Sequence, residues 1–310
     1  MGMRTLLAVE SVKGLQQNRV RCAANVVIAL CLSGLLASSA YSDESDEEAE
    51  ILRDFDSLPD WSGTWARRGG TAFDRATWTM NGEPADPSIR ATGVNAPGAR
   101  AHPPYNEEWE AIYQEHLALR DQGRFPDPLT QCVAHGFPRI FNVNSPVEFV
   151  VRPEQVWILA EHTRSTMRIY TDGRPHPEPD QLWHTYFGDS VGHWEGDTLV
   201  FTTVGLKGWS DRDVILDRSG LVLSDAMHAT TRIRRVQEED DQGELQDVLL
   251  VQITLEDPQA LTRPWTVEKR FYKEPDGTRI YDYECNENNR SVVAEDGRSL
   301  FLGPEGEVVE

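Results

Sequence analysis

The residues best suited to moving a proton lie in Asp225-Ala226-Met227-His228-Ala229-Thr230-Thr231-Arg232-Ile233-Arg234. Imidazole titrates near neutral pH, and a neighbouring carboxylate orients it for acid–base work. His228 has Asp225 three residues before it and Thr230 two residues after it. In a strand, alternate residues share a face. Ala226, His228, Thr230, Arg232 and Arg234 therefore form one face; Met227, Ala229, Thr231 and Ile233 form the other. If the first face lines a barrel, Asp225 and His228 make a catalytic dyad near its mouth, with Thr230 and His193 as helpers. If that face points outward, His228 is a hydrogen-bonded surface histidine at a strand end.

Aromatic residues offer a different chemistry. Trp157, Trp183, Tyr186, Trp194 and Trp265 are accompanied by Phe187, Trp209, Tyr281 and Tyr283. Such a set fills a core, or it lines a cavity for a small apolar or aromatic ligand. The first five are the candidate ligand-binding residues. The histidines are His102, His116, His135, His162, His176, His184, His193 and His228, and no pair has the helical spacing of a catalytic zinc site. No metal and no cofactor is expected, although His184, Asp189 and His193 leave a cross-strand site open. The chain has no Gly-x-Ser-x-Gly elbow, Walker loop or Rossmann fingerprint. Asp172-Gly173-Arg174-Pro175-His176-Pro177 and Gly192-His193-Trp194-Glu195-Gly196-Asp197 read as turn punctuation between strands.

The elements that must position these groups are mostly short strands. Val147–Val151, Gln155–Glu161, Met167–Tyr170, Ser190–Glu195 and Asp197–Val204 lead to Ala226–Arg235, Asp247–Glu256, Trp265–Lys273 and Arg279–Cys285. Turns such as Asp240-Asp241-Gln242-Gly243 and Pro275-Asp276-Gly277 separate them. This spacing predicts a mainly β fold, an antiparallel barrel or strongly curved sheet. Asn106 can cap one helix over 106–120, with Glu107-Glu108 in its first turn and Trp109, Ile112, Tyr113, His116 and Leu117 in one stripe. The Gly- and Pro-rich stretch 69–104 reads as a long irregular excursion over the surface.

The ends of the chain bear on its location. Arg19 and Arg21 precede an apolar run from Val26 to Ala37, and small residues follow to Ser42. This is the layout of a signal peptide over 1–42, cleaved after Ala40 or Ser42; a retained N-terminal anchor is the alternative. Residues 43–60 begin with the acidic run Asp43-Glu44-Ser45-Asp46-Glu47-Glu48-Ala49-Glu50, read as a disordered tether. Residues 291–310 form a C-terminal tail. The whole chain carries a net charge of −21. Residues 1–42 contain four bases (Arg4, Lys13, Arg19, Arg21) and one acid (Glu10), so the remainder stands at −24. Nucleic acid is not an expected partner for so acidic a surface. Outside the signal peptide the cysteines are Cys132 and Cys285. In an oxidising compartment they join most simply as a disulfide. A catalytic thiol at Cys132, with His135 near it, is the other reading.

Several segments together resemble a family of exported bacterial proteins that has no established activity. They include Arg168-Ile169-Tyr170-Thr171-Asp172-Gly173-Arg174-Pro175-His176-Pro177, Ser190-Val191-Gly192-His193-Trp194-Glu195-Gly196-Asp197-Thr198-Leu199-Val200, Ser224-Asp225-Ala226-Met227-His228, Arg263-Pro264-Trp265-Thr266 and Tyr283-Glu284-Cys285-Asn286-Glu287-Asn288-Asn289. The resemblance spans roughly residues 61–290 and implies export, but no catalytic role. Trp61-Ser62-Gly63-Thr64-Trp65 also resembles the Gly-x-Trp opening of lipocalin-type barrels. The expectation is therefore a periplasmic or secreted barrel over 61–290 that binds a small, largely apolar or aromatic molecule. A cofactor-independent lyase, isomerase or cyclase using the Asp225/His228 dyad is the alternative, and a surface-interaction role is the third.

Overall fold

The computed structural model describes residues 54–309 except 69, 85–96, 125–126, 163–164, 210–213, 241, 286, 288 and 296–298. The signal-peptide reading and most of the tether reading fall outside the described residues. Nine strands close into a barrel. They are β1 (Thr64–Arg67), β2 (Val147–Val151), β3 (Gln155–Ala160), β4 (Ser165–Tyr170), β5 (Asp189–Glu195), β6 (Thr198–Val204), β7 (His228–Glu239), β8 (Leu245–Glu256) and β9 (Trp265–Lys273). Strands β2 to β9 follow one another around the wall, and β1 closes the ring between β9 and β2. An odd number of strands cannot alternate direction all the way round, so one neighbouring pair must be parallel. That pair is β4 and β5, which meet at Tyr170 and Val191. The mainly β expectation holds, and the barrel is closed, with a single α-helix among the described residues.

Inward positions follow the alternation of each strand. Ala229, Thr231 and Ile233 of β7 are buried, as are Leu249, Val251, Ile253 and Leu255 of β8 and Trp265, Val267 and Phe271 of β9. Aromatic rings complete the filling. Phe271 lies 6.2 Å from Phe141 and 6.3 Å from Phe149, and Trp61 lies 5.8 Å from Phe149, measured between centroids. Fully burying one such side chain contributes about 1.5–3 kcal/mol.

The two ends of the barrel differ. Tight turns join β2 to β3, β5 to β6 and β7 to β8 at one end. The long connections 68–146, 205–227 and 257–264 all gather at the other, the capped end. Helix α1 (Glu107–Asp121) lies in the first of these connections. The Asn106 side chain accepts from the Trp109 N–H at 3.0 Å and starts the helix. Its buried stripe, Tyr113, His116 and Leu117, faces segment 214–223. There the Tyr113 hydroxyl meets Ser219 Oγ at 3.0 Å, and His116 Nδ1 meets the Gly220 carbonyl at 2.7 Å.

Two expectations are corrected. Parts of 69–104 are not a surface excursion: Ala72, Phe73, Trp78, Ala99 and Ala101 are buried. The reason is the shortness of β1, which pairs with β9 only at Phe271, Tyr272 and Lys273. Residues after β1 cover the unpaired remainder of β9, and Phe73 stacks edge-on to Trp265 at 5.3 Å. Arg279–Cys285 is not a strand. The ring is already closed through β1, so no barrel edge is left for it to join. Instead the chain after β9 returns to the capped end, where the Tyr281 N–H donates to Glu161 Oε2 at 2.8 Å. Cys285 then forms a disulfide with Cys132, Cα to Cα 5.4 Å. Closing a loop over a separation of 153 residues stabilises by about 5 kcal/mol in the entropic account.

Candidate functional site

The residues singled out for acid–base work lie on the outside. His228 is the first residue of β7, and its Nε2 pairs with Glu256 Oε2 at 3.3 Å across the ladder. Asp225 is exposed in the preceding turn. Thr230 shares the His228 face, whereas Ala229, Thr231 and Ile233 point inward. The lumen-facing reading of this strand is therefore corrected: the face that carries Arg232 and Arg234 is the solvated one. His193 is also on the outer wall, 3.3 Å from Glu195 Oε1.

The aromatic set does not converge on one site either. Trp265 is buried in the barrel, with its Nε1–H on Asp74 Oδ2 at 2.8 Å. Trp194 packs against Trp61 at 5.2 Å near the tight turns. Trp157 is half-buried under the Arg168 guanidinium, and Tyr186 lies under Lys207 Nζ. Trp183 is 84% exposed.

A different group of residues comes together at the capped end. A cavity of about 240 Å³ is lined by Thr71, Leu129, His135, Arg139, Asn142, Val143, Asn144, Ser145, His162, Asp217 and Arg218. Three separate connections supply them, those before β2, after β3 and before β7, so no single sequence spacing announces the site. Gly136 sets the position of His135: it has φ +68°, and a Cβ there would come within 2.6 Å of the Tyr186 carbonyl oxygen. The adjacent Phe137 N–H donates to that same carbonyl at 2.7 Å. The 3₁₀ turn Arg139–Asn142 then fills the end of the barrel with Ile140 and Phe141.

Charges in the cavity are arranged by burial. Arg139 holds Asp127 through two hydrogen bonds of 2.9 and 2.7 Å. Burial pushes the Asp127 carboxyl up, but the Arg139 charge and these bonds outweigh it and hold it low. Asp217 is fully buried and accepts from the Phe73 N–H at 2.8 Å and from Ser219 N–H and Oγ at 2.8 and 2.5 Å. Burial raises its carboxyl despite these donors. The His135 and His162 rings lie edge to face at 4.6 Å. Burial first, then the charge of its imidazole neighbour, pushes His135 down to about 3. Burial and the Arg139 and Arg218 guanidiniums lower His162 as well. Both rings are thus neutral at pH 7.

Among the described residues, Ser145 Oγ and His162 Nδ1, atoms of two lining residues, are buried and have no hydrogen-bond partner. A buried unpaired polar atom costs about 1–3 kcal/mol, so a cavity occupant that turned both side chains onto itself would recover that cost. Tyr283 stacks on His162 at 4.8 Å and 21°, which places the segment after β9 at the site. Its neighbour Cys285 supplies the anchoring disulfide.

One further constellation lies on the outer wall. His176 Nδ1 meets Asp189 Oδ1 at 2.6 Å and its Nε2 meets Thr202 Oγ1 at 2.8 Å. This carboxylate–imidazole–hydroxyl chain fastens segment 171–188, the link between the parallel strands, onto β5 and β6. It explains His176 in a motif that reads from sequence as turn punctuation. Among the described residues no group of three or more His, Cys, Asp or Glu side chains has the geometry to hold a metal ion. No described helix is long and apolar enough to cross a membrane. No protein-family model matches the chain, and no curated protein or solved structure matches it significantly.

Proposed function

We propose that this protein is exported and binds a small molecule in the capped-end cavity, not in the middle of the barrel. The observation that carries this is a pair of buried atoms unpartnered among the described residues, Ser145 Oγ and His162 Nδ1, on two residues that line the same space. A volume of about 240 Å³ lies below the roughly 300–1,000 Å³ of drug-sized sites, so the ligand is small. Leu129 and Val143 offer it apolar contact; Ser145 and His162 offer hydrogen bonds. Such a site suits a compact, largely apolar molecule with one or two polar groups.

The experiment is mass spectrometry of molecules released from the full-length protein recovered from an oxidising compartment. A small organic molecule is expected, retained by the wild type and lost in both Ser145→Ala and His162→Gln. Equal retention in both variants would overturn the site.

A second reading, an acid–base enzyme without cofactor, is favoured by one of the same atoms. His162 Nδ1 on a neutral ring can accept a ligand proton, whereas His228 is committed to Glu256 on the outer wall. Recovery of a converted product that disappears in His162→Gln, with the substrate still bound, would select catalysis over carriage.

A further inference from the structure

We infer that the protein has a second site, a cationic cleft beside β9 that takes a small multivalent oxyanion of the phosphate type. The cleft lies between β9 and the segment 67–76, which runs beside β9 where β1 has ended. It has a volume of about 540 Å³, and its lining includes Arg67, Arg68, Arg75, Lys269, Arg270 and Tyr272. Five cations in one cleft stand out in a chain whose net charge is −21.

Two of these cations are deeply buried, Arg67 at 6% exposure and Lys269 at 3%. Among the described residues their acceptors are neutral oxygens. Arg67 donates to the Asn142 and Gly70 carbonyls and Asn144 Oδ1, at 2.9, 3.0 and 3.2 Å. Lys269 Nζ donates to the Ala72 and Phe73 carbonyls and to Asn142 Oδ1. Buried charge normally sits against a counter-charge. Burial and the nearby Arg75 charge depress the Arg67 guanidinium to about 10. Burial first and then Arg67 depress Lys269, and the Asp217 and Asp74 carboxyls offset this only in part. The positive groups repel one another, and an anion in the cleft relieves all of them together.

Against its five cations the cleft holds two carboxylates, Asp74 and Glu268. Asp74 accepts from Trp265 Nε1, Thr77 Oγ1 and the Ala76 N–H. Glu268 pairs with Arg270, which also holds Glu238. Arg68 and Arg75 are exposed, and the Arg68 guanidinium lies 4.4 Å over the Tyr272 ring. These two are the exposed ligands, and Arg67 and Lys269 supply the field behind them. Asn142 separates this cleft from the capped-end cavity, because its oxygens hold Arg67 and Lys269 while it lines the other space.

Calorimetric titration of the full chain with inorganic phosphate and with phenyl phosphate at low ionic strength tests this. Binding of at least one is expected, weakened ~10-fold by Arg75→Gln or Arg68→Gln, the worth of one charge-assisted contact. Glu268→Gln should tighten it, and Ser145→Ala should leave it unchanged. Binding of phenyl phosphate alone assigns the site to organic esters, and binding of inorganic phosphate assigns it to the free oxyanion. Absence of binding by both, or affinity indifferent to Arg68 and Arg75, overturns the inference. Ser145→Ala separates it from the cavity reading, which can fail independently.

Discussion

Tyr283 stacks on His162 with ring centroids 4.8 Å apart, so the last part of the chain touches the cavity built by the first connections. The Cys132–Cys285 disulfide, two residues along, is what holds it there. Further along, Asn289 Nδ2 adds a hydrogen bond to the Thr130 carbonyl at 3.1 Å. Cys285→Ser is expected to cost up to about 5 kcal/mol of stability, the loop-closure value for this separation. It should also raise the exposure of His162 to solvent. Denaturant unfolding and imidazole hydrogen–deuterium exchange measure the two effects. Unchanged exchange at His162 would show that the stack persists without the covalent tie.

Acid should unfold this protein through His135. The ring is 3% exposed and its folded value is pushed down to about 3, against about 6.5 in the unfolded chain. Below pH 6.5 the unfolded state binds the proton and the folded state does not. Stability from this group is therefore complete above pH 6.5 and falls as the pH drops towards 3. The slope is about 1.4 kcal/mol per pH unit, or roughly 3 kcal/mol between pH 6.5 and 4.5. Asp217 acts with the opposite sign, because burial raises its carboxyl and favours the protonated folded state. Urea midpoints measured across this range should decline steeply for the wild type and more gently for His135→Gln. Parallel curves would remove His135 as the cause.

The barrel was legible because its strands repeat with turns between them; β2 and β9 end at the residues their patterns predict. The helix was legible from Asn106 and the stripe of Tyr113, His116 and Leu117. The inward face of β7 was readable too, though from a signal other than His228. Arg232 and Arg234 share the His228 face, and two guanidiniums in a lumen would need counter-charges there. Arg232 instead reaches Glu195 at 2.6 Å on the outer wall. The cavity was not legible. His135 and Ser145 sit in the connection before β2, His162 in the one after β3 and Asp217 in the one before β7, and they meet only through closure of the barrel. Likewise, nothing local in 69–104 reveals that β1 is too short to cover β9.

His228 should be dispensable. Its pair with Glu256 is about half exposed on both sides, and surface pairs of this kind are worth about 0–1 kcal/mol. His228→Ala is expected to shift stability by no more than about 1 kcal/mol and to leave any co-purified ligand in place. Loss of the ligand in this variant, with the fold intact by circular dichroism, would return the site to β7.

Asp127 and Arg139 should behave as a unit. Both are nearly buried, at 9% and 5% exposure, and they meet through two short bonds. Removing one partner leaves the other charge in a site of low dielectric. Asp127→Asn is therefore expected to cost about 3–5 kcal/mol. Removing both partners relieves that penalty, so Asp127→Leu combined with Arg139→Met should cost far less than either change alone. Arg218 Nε, 3.9 Å from Asp127 and much more exposed, can turn to solvent and does not replace Arg139. A double-mutant cycle in urea reads the coupling directly. Additive costs would mean that the two side chains stabilise the capped end separately, through Leu129 N–H on Asp127 and through packing of the Arg139 stem.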